Sequence, residues 1–335
     1  NSPKGLDKVY FVSSGSEAVE ASLKLAKQYF NEIGKPEKHK VISRRQSYHG
    51  NTLGALAAGG NVWRRSFFED LLIDTSLISP CYQYRHQSPN ESSLDYGHRV
   101  ANELEKEIIK LGSENVMAFI AETVVGATAG ALTPVEGYFK RIREICDQYG
   151  VLLILDEVMC GMGRTGSLFA CDDEEIVLDM KTIAKGLRAG YQPIGAMLCQ
   201  DFIYEAIANG TGFFQHGHTY LGHPVACAGS LAVMNKLINE NFPNQVKEKG
   251  EILQQKLEKT FGQHEFIGDI RGRGLFRGIE IVKDRALKNP FEKNLNIAGK
   301  IKKDALDNGL ICYPMQGTVD GFIGDHILIA PPFII

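Results

Sequence analysis

Short apolar runs alternate along the first two thirds of the chain with longer stretches in which apolar side chains return every three or four positions. Residues 9–12 (VYFV) read as a strand. After the turn Ser13-Ser14-Gly15-Ser16 the spacing of Val19, Leu23, Ala26 and Phe30 predicts a helix over 17–30. A second strand over 40–43 leads into Tyr48-His49-Gly50. Helical period with mixed charge covers 98–110, and an apolar run over 116–121 stops at Glu122. Phe139, Ile142, Ile145 and Tyr149 lie on one side of an amphipathic helix over 138–149. The run VLLIL at 151–155, ending at Asp156, is the pattern of a strand buried on both faces of a parallel sheet.

The rhythm continues through strands at 180–184 and 196–199 and a helix near 225–238. Strand alternating with helix predicts an α/β fold whose central sheet is mainly parallel, with helices on both faces. From about residue 240 the register changes. A polar helix over 245–260 leads to Arg271-Gly272-Arg273-Gly274, an alternating strand over 275–282, a helix over 295–308 and a strand over 310–313. The expected organisation is a large domain over residues 1–240 and a smaller C-terminal α+β domain over 241–335.

Composition narrows the function classes. The 335 residues are 44% apolar and 23% charged, enough apolar content for a sizeable core. With 37 basic against 40 acidic residues and no Lys/Arg run, nothing favours nucleic acid or an anionic membrane, and no stretch has the length of a transmembrane helix. Seven cysteines without a CxxC pair read as reduced thiols, so a cytoplasmic location is expected, with the mitochondrion as the alternative. The chain begins at Asn1 and ends on an apolar stretch, and both ends are expected to be cut.

In open α/β sheets ligands bind beyond the carboxyl ends of the strands. Gly15-Ser16, Glu122, Asp156 and Lys185 each follow a different apolar run, and together they define a candidate pocket lip. Ser14-Gly15-Ser16 opens a helix, where free N–H groups and the helix dipole suit a phosphate; an ordinary N-cap is the plain alternative. Gly161-Met162-Gly163-Arg164-Thr165-Gly166 matches GxGxxG. It does not turn directly from a strand into a helix, so a close-packed crossing is expected instead of a dinucleotide site. His216, His218 and His223 lack the Cys or acidic partners of a zinc shell, and no metal is expected. Tyr48 reads either as core or as an aromatic stacking on a planar ring.

Lys185 decides between these readings. A lysine at the mouth of a sheet after the mostly apolar MKTIA is read as desolvated, a state in which the amine forms a Schiff base with an aldehyde; a snorkelling surface lysine is the plain alternative. Phosphate anchor, ring stacker, acid for a pyridine nitrogen and nucleophilic lysine together describe a site for pyridoxal 5'-phosphate.

The segments SSGSEAVEASLKLA, SYHGNTLGA, ILDEVMCGMGRTG, TIAKGLRAGYQPIGA and GHTYLGHPVACA, in order between Ser13 and Ala228, resemble the signatures of the class III aminotransferases, pyridoxal-phosphate enzymes of fold type I. The resemblance implies that Lys185 carries the Schiff base and shuttles the proton. It implies that Asp156 pairs with the pyridine nitrogen, Val158 and Tyr48 flank the ring, and Gly15 and Ser16 hold the phosphate. By the same analogy Thr219 reaches the phosphate bound by a neighbouring subunit, implying a homodimer, while Glu122 and His49 lie beside the cofactor. The family's part before the glycine–serine turn and its final helix have no counterpart here, so a truncated small domain is expected.

One departure is Met159, where many members carry a Gln able to reach the cofactor's phenolic oxygen; a thioether cannot donate. Arg64, Arg65 and Arg273 stand as unranked candidates for a substrate carboxylate. The activity implied is transamination between an amine or amino acid and a keto acid such as pyruvate or 2-oxoglutarate. Racemase, aminomutase or lyase chemistry on the same residues is the first alternative, and a silent scaffold on this fold the second.

Overall fold

A computed structural model describes residues 5–335. The larger of two sheets has seven strands: β1 (Lys8–Val12), β2 (Lys40–Arg44), β3 (Thr75–Ile78), β4 (Val116–Glu122), β5 (Leu152–Asp156), β6 (Met180–Ile183) and β7 (Gly195–Cys199), in the order β1-β7-β6-β5-β4-β2-β3. Strands β3, β2, β4, β5 and β6 run parallel. Strand β7 is reversed between β6 and β1, so the sheet is mixed but mostly parallel. Every residue of β4 and β5 is buried, which is why both read as unbroken apolar runs.

Helices cover both faces. On one side Val19, Leu23, Ala26 and Phe30 of the helix Gly15–Glu32 pack with Val12, Ile154 and Met197. On the other, Ile142 and Ile145 of the helix Tyr138–Tyr149 join Leu104 and Ile108 of the helix Ser93–Leu111 against Leu153 and Leu155. Alternate residues of one strand thus feed two cores.

The second sheet is antiparallel: β8 (Ile267–Arg273), β9 (Phe276–Ile281), β10 (Tyr313–Gln316) and β11 (Asp325–Ile329), in the order β10-β11-β9-β8. The helices Phe242–Phe261 and Ile297–Asp307 accompany it. Only β9 falls where the alternation expects a strand; β10 begins at the last residue of the stretch expected at 310–313, and β8 and β11 emerge from stretches with no such reading. Among the described residues no helix is long and apolar enough to cross a membrane, and all seven cysteines are free thiols.

The Gly161–Gly166 loop makes the close crossing expected of it. Gly163 and Gly166 take φ values of 87° and 100°. Arg164 donates through Nη1 to the carbonyls of Leu275 and Pro331 at 3.1 and 2.7 Å, tying the loop to the second sheet. A Cβ on Gly274 would lie 2.6 Å from the Thr165 carbonyl carbon, so only glycine fits there.

Candidate active site

Strand register brings the polar residues to one level. Glu122, the last residue of β4, pairs with Asp156, the last of β5, and Asp156 pairs with Thr182 of β6. Three donors converge on Asp156: His49 Nδ1 at 2.8 Å, the Val158 backbone N–H at 3.0 Å and the Thr182 hydroxyl at 3.2 Å. A carboxylate only accepts, so the His49 proton sits on Nδ1. A carboxylate offers about four lone-pair sites, and one remains available on Asp156, which lines the cleft.

Glu122 ties two loops together. Its carboxyl accepts the Tyr48 N–H at 2.8 Å and the Gly126 N–H at 2.6 Å, fixing the turn after β2 against the loop after β4. Burial pushes this carboxyl above the usual range; His49 and the two backbone donors pull it down, and the nearby Asp156 adds to the rise.

Opposite them the helix Gly15–Glu32 begins. Ser14 caps it, accepting the Glu17 N–H at 3.2 Å, and Glu17 reaches back to the Ser13 N–H at 2.6 Å. Gly15 is required by contact: a Cβ there would meet Val158 Cγ1 at 2.6 Å. The Ser16 hydroxyl accepts the Asn51 N–H at 3.0 Å. Gly50, at φ 141°, lies so close that its own Cβ would be 2.6 Å from that oxygen. The turns after β1 and β2 are thereby locked together.

Lys185 opens a single 3-10 turn past β6 with φ at 27°, a region non-glycine residues avoid. Its side chain is exposed at the mouth of the cleft, so the expectation of a desolvated amine is not met. The chain leaves the sheet at Ile183, and that exit carries the side chain out of the core. The buried lysine is Lys181, its Nζ 3.8 Å from the centre of the Phe169 ring.

One cleft of about 180 Å³ is lined by Gly15, Ser16, Tyr48, His49, Glu122, Asp156, Val158 and Lys185. Thr219 does not join them: it is exposed on the loop between the helices Asp201–Asn209 and Pro224–Asn239. Met159 lines the cleft and packs toward Gly126, where a Cβ would meet its sulfur at 2.4 Å. Arg188 also lines the cleft and was not singled out from sequence; its place three residues after Lys185 was the one available signal. His216 lies 3.0 Å from the Lys24 ammonium, a neighbour that disfavours a bound cation.

The profile of the family described as aminotransferase class-III matches residues 1–335. An uncharacterised aminotransferase of Schizosaccharomyces pombe is 45% identical, over 99% of this chain and 73% of its own length. Gamma aminobutyrate transaminase 2 of Solanum lycopersicum is 39% identical, over 98% of this chain and 70% of its own. The structure of an amine transaminase from an uncultivated Pseudomonas species, in its pyridoxal-phosphate-bound form, superposes with a TM-score of 0.92 at 34% identity, covering 99% of this chain and 73% of that one. With the candidate residues gathered at the ends of parallel strands, this chain belongs to the class III aminotransferases, pyridoxal-phosphate-dependent enzymes of fold type I.

Proposed function

We propose that Lys185 is the residue that holds the cofactor's aldehyde and moves the proton as an amino group passes between a small amine or amino acid and a keto acid. The observation that carries this is the level formed by Glu122, Asp156 and Thr182, with Lys185 three residues further on and a capped helix N-terminus across the same cleft. The residues fit the cofactor. Asp156 retains an acceptor site for a pyridinium N–H, and Gly15 leaves the space a side chain would fill.

In this reading the backbone N–H groups at Gly15 and Ser16 bind the phosphate, at the positive end of the helix dipole. Asp156 binds the ring nitrogen, and His49 Nδ1 and the Thr182 hydroxyl keep that carboxylate aimed. Val158 and Tyr48 flank the ring, and Glu122 fixes the Tyr48 turn. Bound there, the cofactor supplies an electron sink for the substrate carbon that loses its proton. The Lys185 amine takes that proton and delivers it to the neighbouring position, a transfer worth roughly 10²–10⁴-fold. Val158 and Met159, lining the cleft, exclude water from the carbon that is deprotonated.

A homodimer is part of the proposal, with Thr219 of the partner subunit reaching the phosphate. Support comes from the exposure of Thr219 together with the exposed apolar side chains of Tyr220, Val225 and Leu231 that follow it in the chain. We also place the boundary between a large cofactor-binding domain and a small domain at residues 240 and 241, and the unpaired thiols support a reducing, cytoplasm-like compartment.

Borohydride reduction of the cofactor-loaded protein followed by peptide mapping tests the reading. The tag is expected on Lys185. A tag on Lys181 or on no lysine overturns it.

A further inference from the structure

We propose that Gln46 is a positioning residue for the cofactor: its amide ties the turn that carries Tyr48 to the second sheet and so fixes that wall of the cleft. This rests on Tyr48 flanking the ring, as read above. Gln46 does not itself line the cleft, and no step of the chemistry uses it. It is nevertheless buried, and at φ 57° it holds a backbone conformation that non-glycine residues avoid.

Gln46 lies two residues before Tyr48, and all four of its polar groups are engaged. Its N–H donates to the Gly60 carbonyl at 3.2 Å, and its carbonyl accepts the Thr128 hydroxyl at 2.6 Å. Nε2 donates to the Gly317 carbonyl at 2.6 Å, and Oε1 accepts from Asn61 Nδ2 at 3.0 Å. The directions are fixed by the available protons. A carbonyl only accepts, so the amide nitrogen of Gln46 faces Gly317. Asn61 gives its own oxygen to the Arg64 N–H at 3.3 Å, so its nitrogen faces Gln46. A carboxylate or thioether of the same length cannot both donate to Gly317 and accept from Asn61.

These partners reach Tyr48 by separate routes. Gly317 follows β10 and opens the hairpin to β11; its carbonyl also accepts the Gly321 N–H at 2.9 Å. Asn61 caps the helix Val62–Arg65, within which the Arg64 guanidinium lies 4.5 Å from the centre of the Tyr48 ring. Arg65 of the same helix is committed to the carbonyls of Ala57 and Gly59, so the helix is held in place. Thr128 stands in the loop whose Gly126 N–H binds Glu122, and Glu122 accepts the Tyr48 N–H. Arg64 thus backs the ring and Glu122 holds the backbone, and Gln46 is bonded to the segments that carry both.

The test titrates each protein, freed of cofactor, with pyridoxal 5'-phosphate, and records absorbance and the visible circular dichroism of the bound cofactor beside the melting temperature. Gln46→Met removes the donor and the acceptor at constant length. It is expected to weaken cofactor binding about 3- to 10-fold, as for one net hydrogen bond, and to diminish the dichroic band. Gln46→Glu keeps the acceptor for Asn61 but turns an oxygen to Gly317, so it should behave like Gln46→Met; parent-like binding there overturns the link to the second sheet. Thr128→Val, nearly the same shape, breaks one of the four bonds and should shift affinity and band in the same direction, which decides the matter if the Gln46 variants fold poorly. Lys38→Met is the control, since Lys38 donates to the Ser113 and Val116 carbonyls at the opposite end of β2. It should lower the melting temperature and leave the cofactor signals alone. A Gln46→Met protein that melts lower yet keeps the parent's affinity and band has lost only stability, which overturns the proposal, as does an equal change of both signals in Lys38→Met. A parent protein that binds no cofactor refutes the reading of the cleft itself, a distinct result.

Discussion

Lys185 combines an unfavourable backbone with an exposed side chain, a pairing that stability alone would not select. At φ 27° a lysine is strained by about 1–3 kcal/mol, and such strain persists where the surrounding chain over-determines it. Alanine keeps that strain, but the side chain removed is exposed, so Lys185→Ala is expected to fold about as well as the parent, judged by its melting temperature, while losing turnover by a factor of 10² or more. Undiminished turnover would remove Lys185 from the chemistry. Gly15→Ala carries the opposite signature. Its Cβ must displace Val158, so cofactor affinity, read by absorbance titration, is expected to drop at least about tenfold, with only a modest change in melting temperature. Lys185, Asp156 and Gly15 were legible because each interrupts or follows an apolar run. Burial of Lys181 in place of Lys185 was not, since both lysines border the same apolar segment and only the end of β6 decides which one leaves the core.

At the scale of elements, the end of β5 sends the two neighbouring acids Asp156 and Glu157 to different tasks. Asp156 lines the cleft, whereas Glu157 is fully buried away from it. It accepts the Thr123 hydroxyl at 2.9 Å, the Ala170 N–H at 2.8 Å and the Cys171 N–H at 2.6 Å. Those backbone donors open the 3-10 turn Ala170–Glu174, whose first N–H groups have no partner within the turn. Glu157→Ala strips buried donors of their acceptor and is expected to destabilise the fold by about 2–4 kcal/mol in urea unfolding. A loss below about 0.5 kcal/mol would show that the turn finds other partners. The parallel strands were readable from composition because burial on both faces leaves no polar positions. Strand β8 was not: Gly268, Gly272 and a register shift between Ile267 and Asp269 break its alternation. Strand β3, half-buried at the sheet's end, has too few apolar positions to stand out.

Across the whole molecule, the second sheet is joined to the cleft through a buried polar cluster that no local pattern announces, because its members come from segments far apart in sequence. Arg271 on β8 donates to Glu280 on β9 at 2.5 Å and to the carbonyls of Ala129 and Gly130 at 2.6 and 2.9 Å. Those carbonyls belong to the loop whose Gly126 binds Glu122. Beside them sits His326 on β11, fully buried, its Nδ1 2.6 Å from the Thr318 hydroxyl and its Nε2 without a partner. A Cβ on Gly130 would lie 2.7 Å from the His326 ring, so the contact between sheet and loop is tight. Burial, reinforced by the Arg271 charge, holds the His326 pKa down to about 4 from the usual 6.5. Between those two values the unfolded chain binds a proton that the fold refuses. Stability from this group is thus complete above about pH 6.5 and is lost as pH falls toward 4, by up to about 3 kcal/mol. His326→Gln keeps a polar side chain beside Thr318 but cannot titrate in this range. Melting curves of both proteins from pH 7 to pH 4.5 should converge as the pH falls, whatever their offset at pH 7, because acids that titrate in both cancel in the difference. Parallel curves would mean that His326 accepts its proton within the fold, and the junction between sheet and loop would then not be the element that acid opens first.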